Sequence, residues 1–222
     1  MDNNHDNSRG PMKLHGFHRS SASFRVRIAL NLKGISYETI THDLTQGAHR
    51  LASYLAINSQ GLLPALEDHG VILTQSSAII EYLEDRVPAP AILPTNPADR
   101  ARVRALAQII AADTHHVSTM RVSAYLKTRL DCNSAAVQAW QHHWLNESFG
   151  AFERALACDA RTGSYCHGDT PTMADIFLVP QAVSAQRINF DVHAYPTIAR
   201  IVETCLRVPG FALAHPDNLA LA

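Results

Sequence analysis

The chain has 222 residues, enough for two modest domains, each with a core of its own. Hydrophobic residues make up 46% and charged residues 18%, the composition of an ordinary globular protein. Nineteen Lys and Arg stand against 20 Asp and Glu, which excludes a basic nucleic-acid surface and a tail of one sign, and no apolar run reaches the length of a membrane span. Small-molecule chemistry is therefore the expectation.

Residues 1–11 are polar, lack the apolar centre of an export signal and end in Gly10-Pro11, so they read as a flexible tail of a cytoplasmic protein. Met12 to Phe17 alternates enough for a half-buried strand. After it, Val26, Ala29 and Leu30 set a helical period that stops at Lys33-Gly34. Ser20, Ser21 and Ser23 consequently sit at a strand-to-helix turn. A helix start exposes unpaired N–H groups and roughly half a unit of positive charge, so hydroxyls there can hold an anion or donate to a thiolate.

Tyr37 to Thr41 reads as a second strand, and the strand–helix–strand spacing makes it a parallel neighbour of the first. Leu51, Leu55 and Ile57 mark a short helix ending at Asn58. Leu62 to Asp68 and Val71 to Leu73 form an antiparallel pair across the turn Asp68-His69-Gly70. Pro64, at the entrance to the first of these, suits either a trans edge-strand proline or a cis bond that turns Leu63 outward. Gln75 and Ser76 then open another helix, running through Ala78 to Leu83. As bare cap residues they need bind nothing, but two helix starts converging on one sheet edge make an anion site.

Prolines 88, 90, 94 and 97 mark residues 88–97 as a linker between a mixed α/β domain, 12–87, and an all-α domain, 98–222. Helices are expected over 98–129, 135–157, 172–185 and 198–207. Thr172-Met173-Ala174-Asp175 has the pattern of a capping box ahead of the apolar run Ile176 to Val179, and its task is folding. Cys132, Cys158, Cys166 and Cys205 lack a C-x-x-C pair and read as reduced thiols. The doublets His115-His116 and His142-His143 match no metal-ligand spacing, so no metal is expected.

An α/β thioredoxin-like domain, a proline-rich linker and an all-α domain together resemble the cytosolic glutathione transferase fold. Ser20-Ser21-Ala22-Ser23-Phe24-Arg25-Val26-Arg27-Ile28-Ala29-Leu30 resembles the S-S-C-S-x-R-V-R-I-A-L signature of the zeta class. The likeness extends to Leu63-Pro64, Gln75-Ser76, Ile79 to Leu83, Gly168-Asp169, Thr172 to Asp175 and Val179-Pro180-Gln181. The resemblance implies glutathione as cofactor, a homodimer, and cis-trans isomerisation of maleylpyruvate or maleylacetoacetate to the fumaryl isomer in aromatic breakdown. A transferase acting in detoxification or haloacid dehalogenation is the alternative.

Carried over by motif position, Ser20, Ser21 and Ser23 would surround the glutathione sulfur, with Ser21 nearest the helix start. Leu63, before Pro64, would pair its backbone with the cysteinyl part, Gln75 and Ser76 would hold the γ-glutamyl carboxylate, and His49 would also touch glutathione. A dicarboxylate keto acid would be held by Arg19, His115, Arg121 and Arg187, since arginine grips carboxylates bidentately. His115 and Arg121, six residues or close to two turns apart on the first long helix, are expected to share roughly one face. Arg25 and Arg27, about 200° apart around their helix, are assigned to structure. The family cysteine is Ala22 here, so chemistry needing a protein thiol at this turn is lost, whereas isomerisation through glutathione is not.

Overall fold

A computed structural model of the chain describes residues 11–219. All but the last residue of the tail expected over 1–11 lies outside them. The first compact unit contains the described residues up to Pro90 together with those from Pro209 onward, and the second is Ala91–Val208.

In the first unit, β1 (Met12–Gly16), α1 (Ser21–Leu32) and β2 (Tyr37–Thr41) form the expected βαβ turn, with β1 and β2 parallel in register from Met12 opposite Tyr37 to Gly16 opposite Thr41. A 3₁₀ turn at Ala48–Arg50 and the single-turn α2 (Ala52–Leu55) follow. β3 (Ala65–Asp68) and β4 (Val71–Thr74) pair antiparallel across His69 and Gly70, both at positive φ, and α3 (Ser76–Arg86) closes the motif. The sheet order is β2-β1-β3-β4. α1 packs with α3 over it, burying Leu14, Phe24, Ile28, Leu30, Leu66, Ile79 and Leu83. The buried Lys33 ammonium places its three donors on Glu84 Oε2 (2.7 Å) and the carbonyls of Val87 (2.6 Å) and Pro90 (3.1 Å), which fixes the end of the unit.

The second unit is helical: α4 (Pro97–Gln108), α5 (Met120–Arg129), α6 (Ser134–Ala157), α7 (Met173–Gln186) and α8 (Pro196–Leu206). Its core holds Leu145, Phe149, Phe152, Ile176, Phe177, Ile198 and Ile201. The capping box forms at the start of α7. Buried Asp175 accepts from Thr172 N and Oγ1 (2.8 and 2.9 Å) through Oδ2 and from Cys166 N (2.8 Å) through Oδ1.

Two expectations are corrected. The continuous helix over 98–129 is broken, because α4 passes into a π-helical stretch at Ile109–Thr114 and a 3₁₀ turn at His116–Ser118, and Thr119 is extended before α5 begins. Hydroxyl groups hold the break: Thr114 Oγ1 donates to Ile109 O (2.8 Å) and Ser118 Oγ to Thr114 O (2.9 Å), while His115 N reaches back five residues to Ile110 O (2.9 Å). The contacts also divide differently from the expected 98–222 domain, because the chain from Pro209 packs with the first unit. There α9 (Pro209–Ala212) lies on α1, Asn31 Nδ2 donates to Gly210 O and Arg27 Nε to Ala214 O, both at 3.2 Å. α10 (Pro216–Leu219) ends the described chain. Among the described residues no helix is long and apolar enough to cross a membrane.

Candidate active site

Sheet register assembles the site of the first unit. His15 pairs with Ala65, and Ala65 with Thr74, so the end of β1, the entrance to β3 and the end of β4 lie at one edge of the sheet. Gly16 opposite Thr41 brings the end of β2 to the same edge. From it leave the turn Phe17 to Ser20, the loop that carries His49, the Leu63–Pro64 bond, which is cis, and the start of α3.

The three serines of the α1 turn are not equivalent. Ser20 is the N-cap, its Oγ accepting from Ser23 N (3.2 Å). Ser23 is fully buried, and its Oγ accepts from Phe17 N (3.4 Å) and lies 3.2 Å from where a Cβ on Gly16 would stand. Ser21, the first helical residue, is half-buried, which leaves it as the hydroxyl presented at the helix's positive end. Ala22 is buried behind it, and Arg19 is exposed just ahead.

At α3, Gln75 precedes the helix with φ 68° and makes no side-chain cap, its Nε2 donating instead to Gln60 Oε1 (2.8 Å). The first-turn N–H groups of α3 thus have no cap from Gln75, an arrangement that fits a carboxylate. Ser76 is buried at the first helical position, and its Oγ accepts from Arg25 Nη1 (3.4 Å). Burial pushes the Arg25 guanidinium down to about 9, and Arg27 to about 10. Arg27 is tied to the carbonyls of Ala214, Phe17 and His18. Both arginines are interior, as assigned, but the Arg25–Ser76 bond was not foreseen. No spacing rule joins residues 51 apart.

His49 sits in the 3₁₀ turn after Gly47, and its Nδ1 is buried with no hydrogen-bond partner among the described residues. Burial, and then the neighbouring Arg50 charge, hold its pKa below the usual histidine value. Gly61 keeps the loop in place: it has φ +59°, and a Cβ there would stand 2.9 Å from His49 O. A second group missed in the sequence lies on the α2 face of the sheet. Buried His15 and half-buried His42 approach Nδ1 to Nε2 at 3.0 Å and stack with ring centroids 5.2 Å apart, and the tilted ring of Tyr54 lies 4.4 Å from that of His42.

In the second unit, His115 is half-buried at the end of the π-helical stretch beside the His116 ring. Arg121 is exposed in the first turn of α5, and Arg187 is exposed at the C-cap of α7. The break at Ser118 and Thr119 means that His115 and Arg121 do not share a helical face, which corrects the expectation drawn from their six-residue spacing. Among the described residues no cluster of three or more His, Cys, Asp or Glu could hold a metal ion, and the four cysteines are free.

Residues 14–91 match the model of the glutathione S-transferase N-terminal domain and residues 136–203 that of the C-terminal domain. The maleylacetoacetate isomerase of Rhizobium meliloti (strain 1021) is 46% identical over 205 residues, covering 92% of this chain and 96% of its own. A holo structure of maleylpyruvate isomerase, described as a bacterial glutathione S-transferase of the zeta class, superposes with a TM-score of 0.90 at 43% identity, covering 92% of this chain and 96% of that one. The maleylacetoacetate isomerase of Methylobacterium extorquens AM1, with bound malonate and glutathione, gives 0.90 at 40% identity over the same shares.

Proposed function

The chain belongs to the glutathione S-transferase family, in its zeta class, and from that membership we propose a glutathione-dependent cis-trans isomerase that converts maleylpyruvate or maleylacetoacetate to the fumaryl isomer. The observation that carries the reading is the single sheet edge on which the start of α1 with Ser21, the cis Leu63–Pro64 bond and the uncapped start of α3 with Ser76 converge. When bound, glutathione supplies the thiol whose reversible addition turns the substrate's double bond into a single bond free to rotate.

The protein's part is to hold that thiol ionised and the substrate anionic ends fixed. Ser21 donates to the sulfur, and the positive end of α1 favours thiolate over a thiol whose free pKa is about 8.5. Ser20 keeps the helix start in shape, and Ser23 packs beneath it. The backbone of Leu63 pairs with the cysteinyl residue, and Gln75, Ser76 and the first turn of α3 take the glutamyl carboxylate. His49 has a buried ring nitrogen to offer the same ligand. Arg19, Arg121 and Arg187, with His115, grip the substrate carboxylates and the carbonyl oxygen that gains charge. Ala22 gives this turn no protein thiol, so a mixed disulfide with glutathione is not part of the reading. Family membership also supports a cytoplasmic homodimer.

The test is the absorbance change of each maleyl-keto acid with purified protein and a trace of glutathione. Turnover far exceeding the glutathione present, and absent without it, is expected, and the ratio of the two rates names the preferred acid. Glutathione binding without turnover of either acid would overturn the proposal.

A further inference from the structure

Arg25 is a large, fully buried cation inside a helix that packs against α3 and α9, where a leucine would fill the space at less cost. Its neighbour Arg27 is accounted for by three backbone carbonyls. Arg25 instead reaches from α1 to a side chain at the start of α3, donating through Nη1 to Ser76 Oγ at 3.4 Å. A guanidinium has five N–H donors and no acceptor. Ser76 Oγ must therefore be the acceptor in this pair, and its own hydrogen is left to donate elsewhere. With no cap from Gln75, that hydrogen and the first-turn N–H groups of α3 belong to one helix end.

We propose that Arg25 is a positioning residue for the cofactor: it fixes the Ser76 hydroxyl as a donor to the glutamyl carboxylate of glutathione and sets a buried positive charge behind that carboxylate. The proposal rests on the glutathione site described above and assigns within it a device that reads the ligand's charge. A cation held away from water acts on the carboxylate with little screening.

The test compares glutathione with the analogue in which the glutamyl α-carboxylate is a carboxamide. Dissociation constants of both are measured by calorimetry for wild type, Arg25→Met, Arg25→Lys, Ser76→Ala and the double variant of Arg25→Met with Ser76→Ala. Wild type is expected to prefer glutathione. Arg25→Met, which removes both the charge and the donor, should cut that preference by about tenfold, Arg25→Lys, which keeps a charge and donors, should retain more of it than Arg25→Met, and the double variant should lose no more than the worse single variant, since both changes remove one device. A purely structural role for Arg25 would weaken both ligands equally and leave their ratio unchanged, and that result overturns the proposal. If Arg25→Met does not fold, arginine side-chain NMR of wild type decides: the Arg25 Nη signals should move with glutathione and not with the carboxamide, and equal or absent movement rejects the device. Wild type that binds neither ligand would instead remove the glutathione reading itself.

Discussion

Serines 20, 21 and 23 show how one motif divides labour among like residues. Ser20→Ala removes an N-cap and should cost about 1 kcal/mol of stability, seen as a lower urea midpoint with activity retained at low temperature. Ser21→Ala removes no such bond; it should leave the midpoint nearly unchanged and lower kcat/KM by about a hundredfold, the scale of losing one preorganised donor. The reverse pattern would move the sulfur contact to Ser20. His15 and His42 make a prediction in pH. Their nitrogens are 3.0 Å apart, so one ring must accept from the other, and two imidazolium ions would set donor against donor. Burial holds both pKa values below 6.5. Next in size, Glu67 opposes this at His15, and the charge of His15 adds to it at His42, with Lys13 and Tyr54 completing the surroundings. Above pH 6.5 both states are neutral and stability is full. As pH falls through 6.5 the unfolded chain takes up protons first, so stability declines until the lowered folded values are passed. Denaturant midpoints at pH 7.5 and 5.5 should differ in that direction, and His42→Gln should narrow the difference.

Helix ends are legible in the sequence where caps or prolines punctuate them and hidden where hydroxyls do. The capping box was legible in Thr172 and Asp175 because four residues carry its whole mechanism. In the structure Asp175 also holds Cys166 N from outside the helix, a contact no local pattern encodes. Asp175→Ala should therefore cost more than a surface cap, about 3 kcal/mol, because two buried backbone N–H groups lose their acceptor. Thermal unfolding checks it, and a loss under 1 kcal/mol would mean that another group replaces the carboxylate. The break between α4 and α5 had no Gly or Pro to announce it. The apolar period runs on through 98–129, and the only local signal is the cluster of Thr114, Ser118 and Thr119, whose hydroxyls take up backbone carbonyls that the helix would otherwise use.

At the scale of the whole molecule, the α/β unit and the helical unit were legible because period-2 and period-3.6 patterns separate cleanly at the proline-rich segment. The return of the chain from Pro209 was not legible, since α9 and α10 are four residues each and carry no period of their own. Their importance lies in what they cover. Gly210 stands against Leu32, where a Cβ would approach Leu32 Cδ2 at 2.8 Å, and Ala214 O takes Arg27 Nε. The same guanidinium holds Phe17 O and His18 O, the residues that lead into Arg19 and the serine turn. Disturbing α9 should therefore reach the glutathione site through Arg27. Gly210→Val is expected to speed amide hydrogen exchange in α1 and raise the glutathione Kd several-fold, while exchange in α7 of the other unit stays as in wild type. Faster exchange in both units alike would show general destabilisation rather than a path from α9 to the serine turn.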